Sequence, residues 1–216
     1  MAASRSHMPT LNKSEILSRL YDKQEDGKRL VVTPILDDEA QITGPGIDLR
    51  LSNQFIVFKH EHSAYIDVSE LNDSEIRKVQ SHVVVPFFDH LILHPKTLVL
   101  AATLEYISMS NDLIGTLEGR SSWARHGLII ATACAIDPGF KGCITLELSN
   151  LGSLPLYLYP GIRLAKLILT TTSSESTYSS KKHKYFCQVG PEFSKAHQDD
   201  EVRLFSKKVE RTTLPS

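Results

Sequence analysis

Cysteine is scarce in this chain, three in 216 residues. Cys134, Cys143 and Cys187 are spaced for neither a disulfide framework nor a C-x-x-C metal knuckle, which points to a reduced, cytoplasmic protein. Charge of one sign is also lacking. Lys and Arg number 24 against 25 Asp and Glu, for a net charge of −1, and the basic residues are scattered. Such a surface offers no electrostatic footprint for duplex nucleic acid, so the expected ligand is small. Long hydrophobic runs are absent too: the stretch Leu128 to Ile136, with an interior Thr, falls far short of the ~20 residues that cross a bilayer. With no signal-type apolar region ahead of the fold, neither a membrane nor export is expected.

What is present reads as one β-rich domain with short helices. Residues 1–8, MAASRSHM, have the look of an expression scar and are set aside; residues 9–172 form the expected domain and 173–216 a flexible C-terminal arm. Asn12-Lys-Ser-Glu15 has the form of a capping box, followed by Ile16, Leu17 and Leu20 on one helical face, and a second helix is expected to start near Asn72-Asp-Ser-Glu75. Strands are expected at 30–33, 54–58, 83–87, 91–93, 98–103, 114–117, 144–148, 155–159 and 162–169. These runs are short, often β-branched and punctuated by Gly, Pro, Asn and Asp, which argues for a sandwich or barrel. The shift to Ser and Thr from Thr170 to Ser180 marks the end of the packed core.

The chemistry concentrates in Glu118-Gly-Arg-Ser-Ser-Trp-Ala-Arg125, Ile136-Asp-Pro-Gly-Phe140 and Ile144-Thr-Leu-Glu147. Arg-Ser-Ser after a glycine, entering a short helical segment, offers guanidinium, hydroxyl and amide donors to one anion, the usual way a phosphate is held. Ser121 and Arg125 lie four apart and share a face if that segment is helical. Strand alternation puts Thr145 and Glu147 on the face opposite Ile144, Leu146 and Leu148, so Glu147 is either a solvent-facing strand residue or a pocket acid/base. Asp137 precedes a Pro-Gly turn able to push its carboxylate toward a ligand, or is only the turn former.

Together EGRSSWARHGL, TACAIDPGFKGCITLELSN, PLYLYPGIRLAKLIL and KYFCQVGP resemble the dCTP deaminase branch of the trimeric dUTPase-like superfamily, from about Leu30 to Ser194. Gly46-Ile-Asp-Leu-Arg-Leu51 is similar to that family's early S-x-D-L-R-L strand. The resemblance implies a mainly β, distorted jelly-roll-like β-barrel of the dUTPase-like type. It implies hydrolytic deamination of dCTP to dUTP and ammonia, with Glu147 as general acid/base, Ser121 positioning water and Arg125 supporting the site. Nucleotide contacts would come from Arg120, Ser121, Ser122, Trp123, Ala124, Arg125, Ala133, Asp137 on the sugar 3′-hydroxyl, Phe140 beneath the sugar and the backbone of Thr145 and Leu146. Tyr178, Lys184 and Gln188, in an arm closing as a lid, would reach the phosphates. It also implies a homotrimer with sites between subunits, and possible feedback by dTTP. Magnesium would arrive with the triphosphate and needs no protein cage. Zinc is not expected, since His60-Glu61-His62 lacks the P-C-x-x-C partner of zinc-dependent deaminases.

The chain departs from that pattern in places. Gly127-Leu-Ile-Ile-Ala-Thr-Ala133 is one residue short and lacks the family's histidine, Trp123 replaces a smaller aliphatic residue, and Lys166, where relatives carry glutamine, reads as a solvated strand residue. Two alternatives stay open beside dUTP formation. One is a bifunctional enzyme taking dCTP to dUMP; the other is a nucleotide-binding regulator without turnover. A plain dUTPase is less consistent with Glu147 and the K-Y-x-x-Q tail.

Overall fold

A computed structural model describes residues 9–59, 65–131, 135–176, 178 and 184–205. Its helices are short: α1 (Lys13–Tyr21), α2 (Asp38–Gln41), α3 (Asp73–Val79) and α4 (Ser121–Ala124). The strands are β1 (Val31–Thr33), β2 (Ile42–Thr43), β3 (Gly46–Phe58), β4 (Gln80–Val84), β5 (Leu91–Leu93), β6 (Leu98–Ser108), β7 (Leu113–Gly119), β8 (Leu128–Ile130), β9 (Ala135–Ile136), β10 (Lys141–Asn150), β11 (Leu156–Leu158) and β12 (Arg163–Thr171). The mainly β class is as expected.

Helix α1 starts where the capping box requires. The Asn12 side chain accepts from the Glu15 amide at 3.1 Å, the Glu15 carboxylate accepts from the Asn12 amide at 2.8 Å, and Ile16 and Leu20 are buried behind them. Asn72 caps α3 in the same way, accepting from the amides of Ser74 and Glu75.

Ten strands form one curled sheet whose path runs β8-β10-β6-β3-β12-β7-β9, with β1 on β6 and both β2 and β4 on β3; β5 and β11 make a separate pair. Strand β3 is the corner of this sheet. Its first half pairs with β12, its second half with β4 and β6, and its register shifts between Leu51 and Phe55 where it changes neighbours. Because Gly46 through Leu49 are all buried, that half of the strand shows no alternation, which is why periodicity marked only 54–58. Two other expectations are corrected. The strand expected at 83–87 runs from Gln80 to Val84, because Pro86 has no amide for a ladder and Phe87 lies in the turn that follows. Lys166 is not simply a solvated strand residue: it is half-buried, with its ammonium 2.9 Å from Asp48 Oδ1 and 2.7 Å from Thr43 Oγ1.

The core lies against the concave face, with Ile47, Leu49, Leu51, Phe55, Leu146 and Leu148 at most 1% exposed. Two carboxylates are buried with them. Asp48 is 2% exposed and Glu105 0%.

Candidate active site

Strand β10 alternates as its sequence demands. Ile144, Leu146 and Leu148 turn inward, leaving Thr145 and Glu147 half-buried on the other face, where both line a pocket of about 560 Å³. That volume lies within the usual range for small-molecule sites. The side chain of Leu146 is spent in the core, so only its backbone could serve a ligand. Glu147 is opposite Leu100 of β6, and its carbonyl accepts from the amide of Ala131 at 2.8 Å, so the chain leaving β8 passes directly beside it.

The turn after β9 supplies Asp137 and Phe140 to the same pocket. The Phe140 amide bonds back to the Asp137 carbonyl at 3.1 Å, closing the turn and leaving the Asp137 carboxylate exposed. Gly139, at φ +75, lets this turn pass close to the arm: a Cβ there would sit 2.9 Å from the amide nitrogen of Tyr178. The Tyr178 ring meets Phe140 edge-on at 5.6 Å between centroids and stacks on Phe186 at 6.0 Å. Burial, and then the nearby Asp137 carboxylate, push the Tyr178 phenol above its ordinary range.

The arm contributes Tyr185, Gln188, Glu192 and Ser194 to the pocket lining, together with Ile76 and Val79 of α3. Phe193 anchors it, packing edge-on against His82 at 4.6 Å with the Arg77 guanidinium 5.6 Å from the ring. Two arm residues expected at the phosphates are occupied elsewhere. Lys184 is exposed and ion-paired with Asp199, outside the pocket lining. Gln188 is 6% exposed, and its carboxamide donates to the Cys143 carbonyl at 2.8 Å and to Thr145 Oγ1 at 3.0 Å.

The Arg-Ser-Ser segment forms the single turn α4, as expected, with Arg120 as its N-cap and no side-chain cap, so the Ser121 hydroxyl is not spent on capping. Ser121, Ser122, Ala124 and Arg125 are exposed, and Trp123 is held by its indole N–H on the Arg163 carbonyl at 3.2 Å. None of residues 120–125 lines the Glu147 pocket. Arg120 instead joins a charged cluster beneath α4, where its Nε and the Nη1 of Arg163 each lie 3.5 Å from Asp48 Oδ2. The structure therefore brings together Asp137, Phe140, Thr145, Glu147, Tyr178 and Gln188, and holds Arg120 to Arg125 apart from them within one chain. Ala133, like His60-Glu61-His62, lies outside the described residues.

Sequence reasoning missed Gln80 and Tyr185, which also line the pocket. Gln80 is 6% exposed, and its Oε1 has no hydrogen-bond partner among the described residues. Its only sequence signal is a polar residue at the exit of a short helix, which is unremarkable by itself.

Fold and pocket together define a mainly β protein whose curled sheet carries a carboxylate-bearing side pocket lined in part by its own C-terminal arm. The fold matches that of the 2′-deoxycytidine 5′-triphosphate deaminase from Agrobacterium tumefaciens, with a TM-score of 0.56 at 16% identity over 76% of this chain and 47% of that one. Among curated proteins, the chain is 40% identical over 184 residues to a dUMP-forming dCTP deaminase of Methanobrevibacter smithii, covering 83% of this chain and 93% of the relative. It is 38% identical over 195 residues to a dCTP deaminase of Haloarcula marismortui, covering 88% and 96%. The model of the dCTP deaminase-like family matches residues 11–172, and the chain belongs to that family. No helix among the described residues is long and apolar enough to cross a membrane.

Proposed function

We propose that the protein hydrolyses the exocyclic C4–N bond of dCTP and then releases diphosphate, so that dUMP is the product. The observation that carries this reading is one pocket of about 560 Å³ that Glu147, Thr145, Asp137 and Phe140 line together. A half-buried carboxylate on a rigid strand suits a proton that must be taken and returned. Glu147 accepts the proton of a water adding to C4 and delivers it to N3. A further transfer protonates the amine, ammonia leaves, and the C4 carbonyl forms. Phe140 packs beneath the sugar and excludes a 2′-hydroxyl, while Asp137, exposed at the rim, accepts from the 3′-hydroxyl. The reaction is read as zinc-independent because the sequence has no P-C-x-x-C element.

Diphosphate release is favoured over dUTP release by the dUMP-forming M. smithii relative at 40% identity. In that step a second water attacks the α-phosphorus and diphosphate departs. The triphosphate arrives as its magnesium complex, with the ion held by phosphate oxygens and water. Exposed Ser122 and Arg125, with the half-buried Arg120, lie outside the lining of their own chain's pocket and support a homotrimer in which they complete a neighbour's site, with Ser121 beside the attacking water. Feedback by dTTP at the same pocket is part of this proposal.

The test is to supply dCTP with magnesium and quantify ammonia, dUTP, dUMP and diphosphate together. Equal amounts of ammonia, dUMP and diphosphate are expected. Ammonia with dUTP and no diphosphate would instead support the second reading, favoured by the H. marismortui relative, in which deamination ends the reaction. A raised melting temperature with dCTP but no ammonia would overturn both and leave a nucleotide-binding regulator.

A further inference from the structure

The arm residue Gln188 occupies a place that the proposed reaction does not explain. Strand β10 is paired on its outer edge with β8 from Leu148 to Asn150, and among the described residues no strand neighbours the stretch from Lys141 to Thr145 on that side. The arm supplies the missing partner. The Cys187 amide donates to the Lys141 carbonyl at 2.9 Å, the Cys143 amide donates to the Gln188 carbonyl at 2.8 Å, and Gly142 pairs in parallel with Gln188.

This stretch of β10 also contains its bulge. The register against β6 shifts between Cys143 and Thr145, and the Ile144 amide donates to the Thr103 hydroxyl at 2.9 Å. Bulges beside active sites re-aim the side chains that follow them, and this one lies just ahead of Thr145 and Glu147. The Gln188 carboxamide spans it. One N–H binds the Cys143 carbonyl before the bulge, the other the Thr145 hydroxyl after it.

Both donors of the carboxamide are therefore used inside the protein. The remaining atom, Oε1, is buried with no hydrogen-bond partner among the described residues, and it is an acceptor, which a phosphate oxygen cannot use. Gly142 makes the approach possible. At φ +144 it lies so close to the arm that a Cβ would fall 3.1 Å from both the amide nitrogen and the carbonyl oxygen of Gln188.

We infer that Gln188 is a positioning residue, which fixes the β10 bulge and through it the direction of Glu147, so that seating of the arm completes the catalytic strand. This rests on the role proposed for Glu147. Its test is Gln188→Leu, read by kcat and KM for dCTP and by amide hydrogen exchange over residues 141–147 in the absence of nucleotide. The expected result is faster exchange in that segment together with a kcat lower by about 10- to 100-fold, the scale of a small misplacement of a reacting group, while KM changes by less than about threefold. Gly142→Ala keeps the carboxamide and obstructs its approach, and is expected to reproduce both effects. A raised KM with unchanged kcat would make Gln188 a phosphate contact and overturn the inference, as would exchange indistinguishable from wild type in both variants. If the wild-type protein releases no ammonia, the proposed function fails by itself, whereas the exchange measurement still reports on the bulge.

Discussion

Lys166 Nζ stands 2.9 Å from Asp48 Oδ1, directly across the β3–β12 ladder. Asp48 is 2% exposed, and Arg120 and Arg163 reach its other oxygen. One buried carboxylate thus gathers three cations beneath α4 and fixes the side chain of its N-cap residue. Asp48→Asn leaves those cations without their counter-charge and is expected to cost about 3 kcal/mol of stability, measured by urea unfolding. Adding Lys166→Met should restore part of that loss. A double variant no more stable than the single one would mean that the cluster is not electrostatically coupled.

Glu147→Gln preserves shape and removes proton transfer. Ammonia release from dCTP should fall by about 10²- to 10⁴-fold, the usual weight of a general acid/base, while the nucleotide still raises the melting temperature. Retained turnover in this variant would remove Glu147 from the mechanism.

The arm is fastened by Phe193 between His82 and Arg77. Losing an aromatic contact of this kind costs about 1 kcal/mol, or about fivefold in the population of detached arm. Phe193→Ala should therefore be cleaved faster by a protease within the arm, with slower cleavage restored when dCTP is bound. Equal cleavage rates for variant and wild type would place the fastening elsewhere.

Glu105 gives the fold a pH dependence. Burial pushes its carboxyl up to about 7, against the opposing pull of the Arg50 amide, which donates to it at 2.8 Å. The folded state therefore binds this proton more tightly than the unfolded chain. The stability it contributes is full below about pH 4.5, the ordinary value, and is lost as pH rises through about 7. Between pH 5 and pH 8, the melting temperature of wild type should fall relative to that of Glu105→Gln. Parallel profiles would show that Glu105 does not titrate in this range.

Local chemistry was legible in the sequence wherever it is written in neighbouring residues. The Asn12 and Asn72 caps, the one-turn helix after Arg120, and the inward-outward alternation of Ile144 to Leu148 each depend on contacts a few residues apart. The pocket group of Asp137, Phe140, Thr145 and Glu147 was legible for a related reason, since a short turn leads straight into the strand. Contacts across the sheet were not. Lys166 meets Asp48 118 positions away in the chain and Gln188 meets Cys143 45 away, pairings set by strand order rather than by any local pattern. The first half of β3 was marked by its resemblance to the family's early strand and not by periodicity, because burial on both faces erases its period.

The bond from the Ala131 amide to the Glu147 carbonyl has a consequence for the loop that follows β8. The chain leaving β8 is tied at Ala131 to the peptide of Glu147, so a change of length here bears on the strand that carries the pocket carboxylate. The shortening read from the sequence at Gly127 to Ala133 therefore falls where the length of a connection and the placement of a pocket carboxylate are linked by one hydrogen bond.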